Sequence, residues 1–203
     1  MYPVAFKSDY VSERNRLTTF FRGFMIIPIY FVGILWGIAA FFTIIAAWAV
    51  VSVTGKYPPG LYEFNSKVLR FSTRGNSYYY LLTDEYPPFD GDEHPEYPVR
   101  VDIGPPLPEY SRAKAFFRLI VGIPVVVMAY LYALLLGVVV IISWLAVVFT
   151  GKQPPGLQDL LVMAEAYQAK AGAYFMLLTE VYPPITEQAQ VEPGAASAQL
   201  GGS

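Results

Sequence analysis

The sequence predicts a mainly α-helical integral membrane protein built as a tandem duplication, and two observations carry that reading. Gly23 to Val53 and Leu119 to Phe149 contain no charged residue. Each run is longer than the ~20 residues that fill a bilayer core as a helix. Each then closes on nearly the same eight residues, Thr54-Gly55-Lys56-Tyr57-Pro58-Pro59-Gly60-Leu61 and Thr150-Gly151-Lys152-Gln153-Pro154-Pro155-Gly156-Leu157. Composition agrees: 55% of the 203 residues are hydrophobic and 15% charged, with the apolar residues gathered into the two runs. That distribution belongs to the membrane class.

The chain has no cysteine, which excludes disulfides, thiolate metal sites and cysteine nucleophiles. A formal net charge of −2 gives no general argument for nucleic acid. The first run starts too late and is too long for a signal peptide, so it is expected to stay in the mature protein.

In chain order, Tyr2 to Phe6 and Tyr97 to Ile103 follow a Tyr-Pro-Val start and alternate, so both read as short strands. Basic helix starts come next, with Arg14, Arg16 and Arg22 before the first run and Arg112, Lys114 and Arg118 before the second. Pro28 and Pro124 fall in the first turns of the runs, where proline starts or kinks a helix at limited cost. One reading makes Arg14 to Ile27 an interfacial helix that leads into a membrane helix from Pro28 to Val53; the alternative folds each run as a helical hairpin.

After each corner the apolar positions step by three and four. Leu61, Phe64, Val68, Phe71, Gly75, Tyr78 and Leu82 share one helix face, as do Leu157, Leu160, Ala164, Tyr167, Ala171, Tyr174 and Leu178. With Glu63, Lys67, Arg70 and Arg74 on it, the first of these helices is expected to lie amphipathically on the membrane surface.

From Arg16/Arg112 to Phe89/Ile185 the two copies align without a gap at an offset of 96 residues, Thr150 against Thr54. Along it Arg16/Arg112, Phe20/Phe116, Phe21/Phe117, Arg22/Arg118, Pro28/Pro124 and Trp48/Trp144 match. So do Leu81-Leu82-Thr83 with Leu177-Leu178-Thr179 and Tyr86-Pro87-Pro88 with Tyr182-Pro183-Pro184. The domain reading is therefore repeat 1 at 1–89, an acidic linker at 90–96, repeat 2 at 97–185, and a disordered tail at 186–203.

The candidate sites are lipid-facing or structural. Lys56 and Lys152 in the corners, and the stripe Lys67, Arg70 and Arg74, are placed to meet lipid headgroups, since basic side chains snorkel and attract anionic lipid. The bland reading of the same residues is a structural corner and a solvated helix face. Gly55 and Gly151 are expected to end helices in the left-handed conformation. Pro58, Pro59, Pro154 and Pro155 stiffen the turn, and Gly60 and Gly156 release it.

The acidic cluster Asp84, Glu85, Asp90, Asp92, Glu93 and Glu96, with the only histidine, His94, lacks the spacing of a calcium loop and reads as a solvated linker. No metal or cofactor site follows from it. The arginine pairs Arg16/Arg112 and Arg22/Arg118, with Asp84/Glu180, are the recurring ionisable residues at helix ends and read as a salt bridge tying the start of the membrane helix to the end of the amphipathic one.

The pattern F-F-R, a proline inside a long apolar run, T-G-K-x-P-P-G-L, and then L-L-T-[DE]-x-Y-P-P resembles bacterial membrane proteins catalogued only as a domain of unknown function. The two copies cover roughly Arg16 to Ile185. The resemblance implies a bacterial inner-membrane location and supplies no activity, ligand or catalytic residue.

Single crossings would put the two copies on opposite sides of the membrane and keep their strands apart, whereas hairpins would place both on one side, as positive-inside loops prefer. No ionisable residue lies within either run, which argues against a proton relay or ion pathway. The expected function is that of a non-catalytic accessory or scaffold subunit, partnered by membrane lipid and by itself or other membrane proteins. The alternative is a lipid-binding or membrane-shaping module inserted in one leaflet.

Overall fold

The computed structural model describes residues 2–184 and the backbone of 190–193. The chain opens with β1 (Val4–Tyr10), longer than the expected Tyr2 to Phe6. Val4, Phe6 and Ser8 point inward, while Lys7 and Asp9 hold the outer face through Lys7–Asp102 (3.0 Å) and Arg100–Asp9 (2.8 Å). β2 (Val99–Ile103) pairs antiparallel with β1, from Val4↔Ile103 to Ser8↔Val99. Phe6 faces Val101, its own counterpart in the second copy, so a local two-fold axis passes through the sheet at that pair. Gln190–Pro193 forms β3, parallel to β1. This corrects the expectation of a wholly disordered tail at 186–203; the remainder of that segment lies outside the described residues.

Each copy then builds a bent helical rod. Asn15 caps α1 (Arg16–Met25) by accepting from the N–H groups of Leu17 and Thr18. The axis breaks at Ile26, and α2 (Ile27–Thr54) starts with Pro28, whose missing N–H is tolerated in a first turn. The second copy splits its entry into α4 (Arg112–Phe116) and α5 (Arg118–Val121) before α6 (Ile123–Thr150). At 28 residues each, α2 and α6 are about 42 Å long. Both are unbroken, so the helical-hairpin alternative does not form. A bend inside the run would leave backbone groups unpaired with nothing polar to receive them.

α2 and α6 are apolar all round, yet each buries only one stripe. On α2 this is Ile29, Ala40, Ala47 and Val51; on α6 it is Val125, Leu136, Val139, Ser143 and Val147. Against the α2 stripe packs α3 (Pro59–Tyr79), running back along it. Trp36 stacks on Phe64 (5.4 Å) and Phe71 (5.6 Å), and Tyr30 meets Tyr79. α7 (Pro155–Phe175) does the same for α6, with Tyr132 against Tyr167 at 4.7 Å. The expected three-and-four periodicity is thus the face that α3 and α7 turn toward the long helices.

The opposite face of α3 carries Arg70 and Arg74 and lies under the sheet and the 84–97 segment, while its flank meets α7, where Leu69 reaches Gly172. The fold is therefore layered: sheet and linker, then α3 with α7, then α2 with α6. α1 rests on α6 and α4 on α2. This corrects the expectation of an amphipathic surface helix, because α3 is the middle layer. Its charged side meets the inter-copy linker and not lipid.

Candidate functional site

The matched arginines act as locks. Arg22, 3% exposed, donates from Nη1 to the carbonyls of Tyr78 and Thr83 (2.8 Å for the latter), from Nη2 to Asp84, and lies 4.4 Å from the Tyr78 ring centre. Arg118, 2% exposed, donates to the carbonyls of Tyr174 (2.6 Å) and Thr179 (2.7 Å) and lies 4.3 Å from the Tyr174 ring. These carbonyls surround the ends of α3 and α7, where Leu81 (φ 65) and Leu177 (φ 59) turn left-handed. A left-handed leucine is costly, and the guanidinium's planar set of donors is what holds the turn in place. Asp84 also accepts from the N–H of Asn15 (2.9 Å), and Glu180 from that of Ser111 (2.6 Å), so each lock ties a helix start to its own Leu-Leu-Thr end.

The corners are sockets for the other copy. Gly55 (φ 71) and Gly151 (φ 74) cap α2 and α6 in the left-handed conformation, as expected. The Tyr110 N–H donates to the Gly55 carbonyl (2.8 Å) and the Arg14 N–H to that of Gly151 (2.9 Å). A Cβ on Gly151 would stand 2.9 Å from Arg16 Nε, and one on Gly55 3.1 Å from the Tyr110 carbonyl oxygen. Two turns earlier, Trp48 stacks on Phe116 (5.7 Å) and Trp144 on Phe20 (6.0 Å). Tyr62 and its counterpart Gln158 each reach the second leucine carbonyl of the opposite copy, Leu178 and Leu82. The recurring Gly55/Gly151, Trp48/Trp144 and Phe20/Phe116 join the halves across the pseudo-two-fold, whereas Arg22/Arg118 act within their own copy.

The family model for a domain of unknown function, DUF4389, matches residues 16–90 and again 112–186. The chain belongs to the DUF4389 family. Each DUF4389 copy begins at the socket-filling arginine and ends past the Tyr-Pro-Pro corner, so it contains the lock, the long helix and the core helix, while β1 and β2 lie outside it. Comparison with curated proteins and with solved structures finds no match.

The residues singled out from sequence divide sharply. Lys56 and Lys152 are exposed at the corners, near Arg112 and Arg16. Pro58 and Pro154 are the extended caps of α3 and α7, and Pro59 and Pro155 their first residues. Gly60 and Gly156 are already helical, with open space where a Cβ would stand, so the turn does not depend on them.

The stripe Lys67, Arg70 and Arg74 is paired within the chain. Lys67 binds Glu63 and Asp92, Arg70 binds Glu93, and Arg74, 4% exposed, donates to the Asp92 carbonyl. The acidic linker thus folds back on the stripe as an internal counter-charge. His94 sits between Asp90 (2.9 Å) and Glu96 (3.1 Å), and the Asp90 hydrogen bond raises its pKa.

Two features escaped the sequence. Glu165 is buried in α7 with its Oε2 unpartnered, and burial alone pushes its carboxyl well above the ordinary range. Its counterpart is Leu69, a mismatch visible in the alignment. The second feature is a chain of hydrogen bonds through the core, from Thr43 to Asn65, from Asn65 to the Tyr57 hydroxyl, and from there to the Met176 carbonyl (2.7, 2.7 and 3.0 Å).

The outermost helical layer is apolar throughout. Phe31, Ile34, Leu35, Phe41 and Phe42 of α2, and Val127, Leu131, Leu134, Val138 and Ile141 of α6, are exposed, and Phe20, Phe24, Phe117 and Leu119 widen the surface. Both α2 and α6 are long and apolar enough to cross a membrane. Two cavities open beside the locks as a symmetric pair. One, of about 280 Å³, is lined by Arg22, Tyr79, Leu81, Val140 and Trp144; the other, of about 270 Å³, by Arg118, Phe175, Leu177, Ile44 and Trp48.

Proposed function

We propose that this chain is a non-catalytic membrane module seated in one leaflet, with α2 and α6 lying in the membrane plane and the sheet in water. The observation that carries this reading is the placement of charge. The ion pairs Lys7–Asp102, Glu63–Lys67–Asp92 and Arg70–Glu93 run alongside α2 on the side facing away from the apolar layer.

Were α2 to cross the bilayer, these groups would travel through its centre. At about 2.5–3.5 kcal/mol per charged side chain there, the seven of them oppose crossing by on the order of 20 kcal/mol before any relief by pairing. Lying in plane leaves them hydrated. It also seats the exposed apolar layer among acyl chains, and a patch this large on a soluble monomer would aggregate. The exposed cations Arg16 and Lys152 at one end of the layer, and Lys56, Arg112 and Lys114 at the other, then fall at headgroup level.

The buried arginines are committed to backbone carbonyls, which supports a structural use of the ionisable groups and not catalysis. The membrane is the bacterial inner membrane that the resemblance implies. In it the module serves as a scaffold or accessory component, presenting its sheet face to water.

The absence of native cysteine makes the test direct. Single cysteines at the exposed positions Glu13, Lys56, Glu109 and Lys152 are labelled with a membrane-impermeant maleimide in sealed vesicles of known orientation. The in-plane reading expects all four to react from the same side. If Glu13 and Lys152 react from one side and Lys56 and Glu109 from the other, the long helices span and the reading is wrong.

A further inference from the structure

The two lock cavities are equivalent by the internal repeat but not in charge. In the first, Arg22 is bridged to Asp84. In the second, Glu180 turns its bonded oxygen to the Ser111 N–H, and among the described residues no carboxylate stands at ion-pair distance from Arg118. Arg118 is 2% exposed, and its Nε has no hydrogen-bond acceptor. Burial pulls this guanidinium below its ordinary pKa, opposed mainly by Tyr174 and Glu180. The Tyr174 and Thr179 carbonyls and the Tyr174 ring replace part of its lost hydration, but a buried cation without a paired counter-ion stays costly because neutral acceptors do not cancel its charge.

The cavity beside it has the shape of an answer. Its other walls are Ile44, Ile45, Trp48, Leu119, Phe175 and Leu177, all apolar, and Leu119 and Ile45 belong to the exposed outer layer. A ligand entering from that layer would meet hydrocarbon first and one positive donor at the end. In the first copy Gly23 replaces Leu119 and Tyr79 replaces Phe175, so the Arg22 cavity is more polar as well as already neutralised.

We propose that the Arg118 cavity binds one anionic phospholipid, its phosphate supplying the counter-charge and part of an acyl chain lying along Ile44, Ile45 and Trp48. This inference rests on the leaflet seating proposed above. The Arg22 cavity takes lipid without charge selection. Phosphate on guanidinium is a strong, charge-assisted pairing, and the aromatic wall contributes the apolar part of the contact.

Trp48 lies in the wall and reports occupancy. The full-length chain carrying Trp36→Phe and Trp144→Phe, in dodecyl maltoside micelles, is titrated with phosphatidylglycerol or phosphatidylcholine bearing the same brominated acyl chain, and with brominated oleate. Half-quenching of Trp48 is expected at roughly tenfold lower mole fraction for phosphatidylglycerol than for phosphatidylcholine. Arg118→Gln is expected to erase that difference and Arg118→Lys to keep most of it.

Equal quenching by the two phospholipids overturns the site while leaving the leaflet seating, judged separately by cysteine labelling, untouched. Preferential quenching by oleate overturns the phospholipid as occupant. Because the unsubstituted Arg118 comparison alone decides the question, a poorly folding Arg118→Gln variant does not rescue the idea. The same titration read from Trp144, with Trp36→Phe and Trp48→Phe, is expected to show no preference.

Discussion

Replacing Arg22 with methionine keeps the length and much of the apolar stem while removing every donor. The Thr83 carbonyl then loses the Arg22 donor in a site where Arg22 was 3% exposed, the Tyr78 carbonyl keeps the Leu81 N–H, and Asp84 keeps the Asn15 N–H. Breaking a buried, hydrogen-bonded charge pair from one side costs about 3–5 kcal/mol. For a chain of 150–250 residues each kcal/mol moves Tm by roughly 2–4 °C, so a drop of roughly 6–20 °C is expected. The assay is thermal unfolding in dodecyl maltoside followed by tryptophan emission, with Lys114→Met as a surface control expected to shift by under about 2 °C. Arg22→Lys should recover about half, because an ammonium is a point charge without the planar fork that serves two carbonyls and a carboxylate together. Hydrogen exchange should rise first at residues 81–84, the left-handed turn the guanidinium holds. A melting temperature within about 3 °C of the parent for Arg22→Met would show that the turn holds itself and that the lock is incidental.

Two further outcomes separate kinds of residue that look alike in sequence. Gly151→Ala should destabilise by about 1–2 kcal/mol from the left-handed φ alone and by more from the 2.9 Å approach of Arg16 Nε, whereas Gly156→Ala, helical and facing open space, should stabilise by about 0.5–1 kcal/mol in the same melting assay. Burial raises the Glu165 pKa well above its ordinary value, so its carboxyl favours unfolding increasingly as pH climbs above the unfolded-state value near 4.3. Glu165→Gln should therefore raise Tm more at pH 8 than at pH 5, and an equal rise at both would refute the raised pKa.

Much of this molecule was legible in the residues alone. Uncharged runs bounded by basic residues fixed two long helices, since nothing else of that length keeps its backbone bonded without water. Pro28 and Pro124 marked helix starts because each lacks an N–H that a first turn does not need, and Pro59 and Pro155, read as stiffening the turn, are in the structure the first residues of α3 and α7. Gly55 and Gly151 marked their ends. The offset of 96 showed which positions are held in common, and a tie from Arg16/Arg112 or Arg22/Arg118 to Asp84/Glu180 was read from that recurrence; Arg22 makes it with Asp84, and among the described residues Arg118 makes no ion pair with Glu180.

What sequence could not decide was which side of each helix has a neighbour. α2 is apolar on every face, so its buried stripe carries no compositional signature. α3 is half charged, which reads as a surface helix until the distant linker residues Asp92 and Glu93 are seen to neutralise it. Only the tertiary structure supplies that contact. It pairs β1 with β2 across nearly half the chain, places the sheet and linker charges on one side of the long helices, and, among the described residues, leaves Arg118 without the carboxylate that its twin possesses. Local residue chemistry dictates helices and corners because those energies are short-ranged, whereas orientation toward lipid is set by where the remaining layers come to rest.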